Sequence, residues 1–137
     1  MICTFFGHKD SSPAISKKLE NAIENLISKH GVTHFYIGNH GIFDRIALQS
    51  VTSLKEKFPF ITYEIVLAYL PKQPLNHPTL YPEGIEKSPK RFAICFRNQW
   101  MIHHSDYVLC HVLHSFGGAY QFAELAKKQG KTVINIT

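Results

Sequence analysis

Short unbroken apolar runs alternate along this chain with longer stretches in which apolar residues recur every three or four positions. The short runs are typical of strands buried in a parallel sheet, and the periodic stretches are typical of helices that pack one face against it. The predicted strands cover residues 2–6, 33–37, 61–69, 107–113 and 131–136. The predicted helices cover about residues 11–30, 43–58, 90–104 and 119–129. Residues 70–89 hold most of the 7 prolines and are predicted to form a long loop.

The strict alternation of strand and helix predicts the fold class. We expect an α/β protein with a Rossmann-like, doubly wound parallel sheet of about five strands in the order 3-2-1-4-5 and helices on both faces. The chain contains no internal repeat, and 137 residues is an ordinary length for one domain. Residues 1–137 are therefore predicted to form a single domain.

Glycines stand in three of the predicted strand-to-helix turns. In a sheet of this order, ligands bind at the carboxyl ends of the first and fourth strands, where the strand order reverses. Because glycine lets backbone N–H groups approach a ligand and helix N-termini add unpaired donors, the turns predict an anion site. The predicted ligand-binding residues in these turns are Gly7, His8, Lys9, Gly38, Asn39, Gly41, His114, Ser115, Gly117, Gly118 and Ala119. Chain geometry explains the glycines of any one turn equally well, but three turns converging on one edge favour binding.

The predicted third helix is mostly apolar, and the pair Arg97-Asn98 interrupts it. A helix that is apolar on nearly all faces is expected to be buried, and a buried arginine requires a carboxylate or a phosphate. Two interpretations stay open: a structural ion pair with Asp106 or Glu124, and contact with a bound anion. The extent of apolar surface on this helix also predicts a homo-oligomer.

Charge and cysteine content narrow the partners and the compartment. The formal net charge is +5 and the pI is about 9.2, which favours anionic partners such as nucleotides. Cys3, Cys95 and Cys110 each lie in an apolar stretch and form no CxxC pair, so they are predicted to be small core residues in a reducing compartment. No segment has the pattern of a signal peptide or a membrane span, so a soluble, cytoplasmic protein without a membrane partner is expected.

The sequence lacks the motifs of several common enzyme classes. The chain contains no GxxxxGK[ST], no GxGxxG after the first strand and no GxSxG, which argues against a P-loop ATPase, a conventional NAD dehydrogenase and a serine hydrolase. The 9 histidines include no HExxH motif, and His111 and His114 are predicted on opposite faces of a strand. We therefore predict no metal site and no required cofactor.

A series of motifs in one order resembles those of the SLOG superfamily, which joins the LOG nucleotide hydrolases, often called lysine-decarboxylase-like, with the DprA/Smf proteins. The motifs are Arg97-Asn98-x-x-Met101, Ser105-Asp106, Gly117-Gly118 and Glu124-Leu125. Other segments are similar to the YpsA-like branch of bacterial proteins, namely Thr4-Phe5-Phe6-Gly7-His8-Lys9-Asp10, Gly38-Asn39-x-Gly41-x-Phe43-Asp44, Pro82-Glu83-Gly84-Ile85-Glu86 and Val133-Ile134-Asn135-Ile136. The resemblance spans nearly the whole chain and adds Asp44, Glu83, Arg97 and Asn98 to the candidate ligand-binding residues.

This resemblance implies a Rossmann-like fold that binds nucleotide-type ligands, with ADP-ribose and NAD among the candidates. LOG enzymes cleave the N-glycosidic bond of nucleoside monophosphates with a third-helix arginine and the glutamate of a PGGxGTxxE motif. Arg97 and Glu124 match these two residues and would be catalytic if the chain is a hydrolase. Phe116, Tyr120 and Gln121 stand where the motif has proline, glycine and threonine, which places ligand binding ahead of hydrolysis.

Three functions remain open at this point. The first is binding or sensing of a nucleotide or nucleotide-derived ligand in a regulatory role. The second is hydrolysis of nucleoside monophosphates by a LOG-like N-glycosidase. The third is nucleic-acid binding of the DprA type, which the net charge of +5 and the resemblance suggest.

Overall fold

The apolar runs pair side by side as strands of one parallel sheet in the computed structural model, which describes residues 1–8 and 11–136. The strands are β1 Ile2–Gly7, β2 His34–Ile37, β3 Thr62–Val66, β4 Thr79–Leu80, β5 Tyr107–His111 and β6 Thr132–Asn135. The helices are α1 Ser16–His30, α2 Gly41–Lys57, α3 Ala93–His103 and α4 Gly118–Lys128. A helix or a long connection joins each strand to the next, as parallel pairing requires.

The order of the strands is β4-β3-β2-β1-β5-β6, and every neighbouring pair is parallel. The predicted Rossmann-like order is confirmed, with one edge strand added. β4 has only two residues inside the proline-rich segment, so it carries no periodic signal. Backbone bonds from Ile65 N–H to the Pro78 carbonyl (2.8 Å) and from Leu67 N–H to the Leu80 carbonyl (2.8 Å) hold it. The prediction of an unbroken loop over 70–89 was therefore wrong.

The helices cover both faces of the sheet, as predicted. One core forms where α1 and α2 pack on the sheet, and Phe5 stacks there on Phe35 with ring centroids 6.0 Å apart. A second core forms under α3 and α4, where Phe6 stacks on Phe122 at 5.6 Å. Phe5 and Phe6 serve opposite faces because successive side chains of a strand alternate in direction.

The first helical segment begins at the serine cap and proline that predict a helix start. The Ser12 hydroxyl accepts a hydrogen bond from Ala14 N–H at 3.2 Å, and Pro13 opens a short 3-10 turn that leads into α1. Gly31 ends α1 with a φ of 72°, a left-handed conformation that suits glycine.

The third helix is not buried on all sides, contrary to the prediction from the sequence. α3 begins at Ala93, because residues 90–92 form a 3-10 turn, and Phe92 is 50% exposed. Met101 is buried on the sheet side, whereas Cys95 lies exposed on the outer side. The expectation that every cysteine is a core residue was thus wrong for Cys95. The helical spacing of apolar residues could not separate the two sides, because Ile94, Phe96 and Trp100 are apolar but only partly buried.

Candidate nucleotide site

The turns that follow β1 and β5 meet at the carboxyl edge of the sheet. Gly7 at the end of β1 pairs with His111 at the end of β5, so the two turns leave the sheet side by side. The imidazole Nε2 of His8 accepts a hydrogen bond from Leu113 N–H at 3.1 Å. The rings of His8 and His114 lie 5.3 Å apart. The convergence of these turns at the point where strand order reverses is therefore as the sequence predicts.

A cleft of about 330 Å³ opens beside these turns. Its walls come from the end of β1, the N-terminal turn of α2, the inner side of α3 and the first turn of α4. The lining residues are Phe5, Phe6, Gly7, His8, His40, Asp44, Ile94, Arg97, Asn98, Met101, Gly118, Ala119 and Phe122. The volume lies within the range of small-molecule sites, and the lining combines apolar walls with a few polar groups, as such sites do.

Arg97 is the most deeply buried charged side chain of this cleft, with 2% of its surface exposed. Its Nε donates to the Asn98 side-chain oxygen at 2.7 Å, and its Nη1 donates to the Val66 carbonyl at 3.0 Å. Within the described residues it forms no direct ion pair. The guanidinium is therefore held in place by neutral acceptors, while its positive charge lacks a contacting carboxylate.

A structural ion pair of Arg97 with Asp106 or Glu124 was one of the two interpretations, and neither pair forms. Asp106 accepts a hydrogen bond from Ile2 N–H at 2.9 Å, at the opposite edge of the sheet. Glu124 pairs with Lys127 on α4 at 3.0 Å. The acidic neighbour of Arg97 is instead Asp44, which interacts with it through space.

Asp44 occupies an electrostatically costly position in the first turns of α2. Its Oδ2 accepts a hydrogen bond from His40 N–H at 2.9 Å, which helps to satisfy the start of the helix. Burial raises the pKa of Asp44 to about 6, against the lowering effects of this hydrogen bond and of the Arg97 charge. Burial also lowers the pKa of Arg97, and Asp44 opposes that change. The site therefore holds two desolvated groups of opposite charge, and a bound anion would offset the burial of the cation.

Two of the predicted ligand-binding glycines make room for protein side chains. A Cβ atom at Gly38 would lie 2.6 Å from Asp44 Oδ2 and 3.3 Å from Arg97 Cζ. A Cβ atom at Gly7 would overlap the Phe43 ring at 2.2 Å. Packing within the chain therefore explains why both positions are glycine, although Gly7 also lines the cleft.

The remaining predicted residues fall into three places. Gly118 and Ala119 open α4 against the cleft, and Gly117 precedes them in a left-handed conformation with a φ of 91°. The following predicted residues are exposed and do not line the cleft: Asn39, Gly41, Glu83, His114, Ser115 and Gly117. Lys9 lies outside the described residues.

The residues proposed as a catalytic pair are not brought together. Arg97 lines the cleft, whereas Glu124 lines a separate hollow of about 270 Å³ with Tyr120 and Lys127. A hydrolase of the LOG type requires both groups at one glycosidic bond. This arrangement provides only the arginine in the cleft.

The cleft has an apolar wall that was not predicted from the sequence. Ile94 and Met101 lie one turn on either side of Arg97-Asn98, and Phe122 faces them from α4. The signal was available, because residues three and four positions from Arg97 and Asn98 share their side of a helix. Among residues 1–8 and 11–136, no three His, Cys, Asp or Glu side chains are grouped to hold a metal ion. No helix in that part of the chain is both long and apolar enough to span a bilayer.

Comparison with known proteins finds likeness in structure only. No protein-family model and no curated protein matches the sequence. An X-ray structure of DNA processing protein A (DprA) from Streptococcus pneumoniae superposes with a TM-score of 0.71 at 16% identity, covering 96% of this chain and 48% of that one. DprA from Helicobacter pylori, whose structure concerns its single-stranded DNA binding mode, gives a TM-score of 0.62 at 17% identity, covering 97% of this chain and 63% of that one. The chain thus shares its fold with DprA proteins and spans less than two thirds of either.

Proposed function

We propose that the cleft binds a nucleotide or nucleotide-derived ligand and that the protein senses this ligand. The phosphate would lie against Arg97, Asn98 and the N-terminal turn of α4 at Gly118 and Ala119. The resemblance of the sequence motifs to those of the SLOG superfamily supports a ligand of this class.

The buried guanidinium of Arg97 is the main support for this proposal. Its own hydrogen bonds go to a side-chain amide and a backbone carbonyl, and no carboxylate contacts it among the described residues. A buried cation without a contacting anion is unfavourable in the empty protein. A phosphate oxygen in the cleft would remove this cost, and the free N–H groups at the start of α4 would add donors to the same anion.

The lining of the cleft also suits the remainder of a nucleotide. Ile94, Met101 and Phe122 give one wall an apolar surface against which a base can pack. Asp44, near Arg97, also lines the cleft and can accept a hydrogen bond from a ribose hydroxyl, a role that acidic residues fill in dinucleotide-binding sheets.

Calorimetric titration with nucleoside 5′-monophosphates tests the proposal. We expect binding, and we expect Arg97→Lys to weaken it by roughly ten- to one-hundredfold, because lysine keeps the charge but loses the planar fork. Arg45→Lys is the matched control, since Arg45 is exposed on α2 away from the cleft. Absence of heat with every nucleotide, or equal weakening by both variants, would reject the proposal.

A second candidate function is binding of single-stranded nucleic acid. Large rings are exposed near the carboxyl edge of the sheet: Phe116 is 69% exposed and stacks on His114 at 4.9 Å, and Tyr69 is 41% exposed. Exposed aromatic rings beside positive charge are how proteins hold unstacked bases, and the net charge of the chain is +5. DprA from Helicobacter pylori, which shares the fold, binds single-stranded DNA.

Fluorescence anisotropy of a labelled single-stranded oligonucleotide tests this second function. Binding should weaken steeply as salt rises, and Phe116→Ala should weaken it by roughly tenfold, because one stacked base is worth about 1–3 kcal/mol. Phe60→Ala is the control, since Phe60 is 60% exposed in the connection before β3, at the opposite end of that strand from its carboxyl edge. Affinity that is insensitive to salt and to Phe116→Ala would exclude this function.

A further inference from the structure

A second hollow, of about 370 Å³, adjoins the cleft and shares His8 with it. The described residues that line it are His8, Ser11, Ser12, His111, Leu113 and His114. None of them is acidic, and three of them carry imidazole rings. The hollow therefore lies between His8 and Ser11–Ser12 on one side and residues 111–114 on the other, and its described lining combines serine hydroxyls and imidazoles with the apolar side chain of Leu113.

His111 is the unusual member of this lining. It is only 9% exposed, its ring stacks on Phe43, and its Nδ1 is buried without a hydrogen-bond partner. Buried polar atoms in folded proteins nearly always have a partner, so an unpaired imidazole nitrogen at a hollow indicates a missing polar neighbour. Burial, together with His8 and Lys18, lowers the pKa of His111, which favours the neutral form of the ring.

The other lining groups supply donors. The Ser12 hydroxyl accepts from Ala14 N–H and so keeps its own proton for another acceptor. His8 accepts from Leu113 N–H through Nε2, and its neutral ring therefore carries a proton on Nδ1. Lys18 lies near enough to His111 to act on its titration, which adds positive potential from α1. Donors and positive charge without an acidic group among the described residues favour an anion.

We propose that this hollow is a second phosphate subsite and that the ligand is a nucleotide carrying two phosphate groups, one in each hollow. This inference rests on the proposed function of the cleft. His8 stands between the two subsites and lines both. A metal ion is a poorer occupant, because the described histidines form no group suited to a metal and His8 Nε2 is already engaged.

The test compares a nucleoside 5′-monophosphate with the 3′,5′-bisphosphate of the same nucleoside by calorimetry. The unmodified protein should bind the bisphosphate at least about tenfold more tightly, the effect of one hydrogen bond to a charged group. His111→Phe and Ser12→Ala should each remove most of that preference and leave monophosphate affinity unchanged. Equal affinity for the two probes, or a preference that survives in both variants, would overturn the inference.

Two further measurements keep the result interpretable. Thermal unfolding shows whether each variant is folded, and Ser12→Ala carries the test if His111→Phe is not. Titration with inorganic phosphate, followed through the imidazole resonances, separates this subsite from the cleft. A shift of the His111 signals supports the subsite even if the cleft binds no nucleotide, and an unchanged His111 signal throughout the titration overturns it. Monophosphate binding without a bisphosphate preference leaves the cleft proposal standing and rejects the second subsite.

Discussion

Arg97 and Asp44 both pack against the backbone of Gly38, and both line the cleft. A side chain at Gly38 would displace the carboxylate and crowd the guanidinium. The sequence singles out Arg97 because it interrupts an apolar helix, but it does not reveal Asp44 as the neighbour. That pairing depends on how β2, α2 and α3 pack, which no local pattern encodes.

Replacing Gly38 by alanine tests this packing. The new Cβ would lie 2.6 Å from Asp44 Oδ2, so we expect Gly38→Ala to lower the free energy of unfolding by about 1–3 kcal/mol. Gly118→Ala is the matched control, because nothing lies within 4 Å of a Cβ there. Urea unfolding of both variants measures the difference. If Gly38→Ala leaves the free energy of unfolding unchanged, Asp44 and Arg97 do not pack against Gly38 as described.

The titration of Asp44 gives a second prediction at this scale. Its pKa of about 6 exceeds the ordinary value near 3.8, so the folded state holds the proton more tightly than the unfolded state. This contribution to stability is present below the unfolded pKa and is lost as pH rises through about 6. The free energy of unfolding of the native protein, minus that of Asp44→Asn, should fall by up to about 2 kcal/mol between about pH 4 and about pH 7. Urea unfolding at several pH values checks it, and a difference that rises with pH would contradict it.

The positions of the strands and helices can be predicted from the spacing of apolar residues wherever the element is long enough to show a period. The five longer strands and four helices occur close to their predicted positions, although β3 ends at Val66 rather than at residue 69. β4 was missed because two residues cannot show a period. The burial of α3 was overestimated because hydrophobic composition does not tell which side of a helix faces solvent, as exposed Cys95 illustrates.

The bond from Leu113 N–H to His8 ties two of these elements together and can be tested alone. His8→Leu removes the acceptor, whereas His8→Gln can offer an oxygen in its place. We expect faster amide exchange in residues 112–116 of the leucine variant and partial recovery in the glutamine variant, measured by hydrogen–deuterium exchange. Equal protection in the two variants would show that this bond does not order the turn.

At the scale of the whole molecule, the site follows from topology. The order of the strands places the ends of β1 and β5 side by side. The end of β1 and the first turn of α4, which follows β5, therefore line the same cleft. The sequence could predict this location because the alternation of strands and helices determines where the order reverses. It could not predict that Glu124 lies in a separate hollow, because that depends on the direction in which α4 leaves its turn.

We propose that a phosphate-bearing ligand lies in the cleft between the end of β1 and the first turn of α4. Nuclear magnetic resonance titration with a nucleoside 5′-monophosphate locates the ligand directly. We expect the amide signals of Gly7, Gly118 and Ala119 and the side-chain Nε signal of Arg97 to shift together and saturate. Shifts confined to the hollow around Glu124, or no shift of these four signals when the ligand is bound, would contradict it.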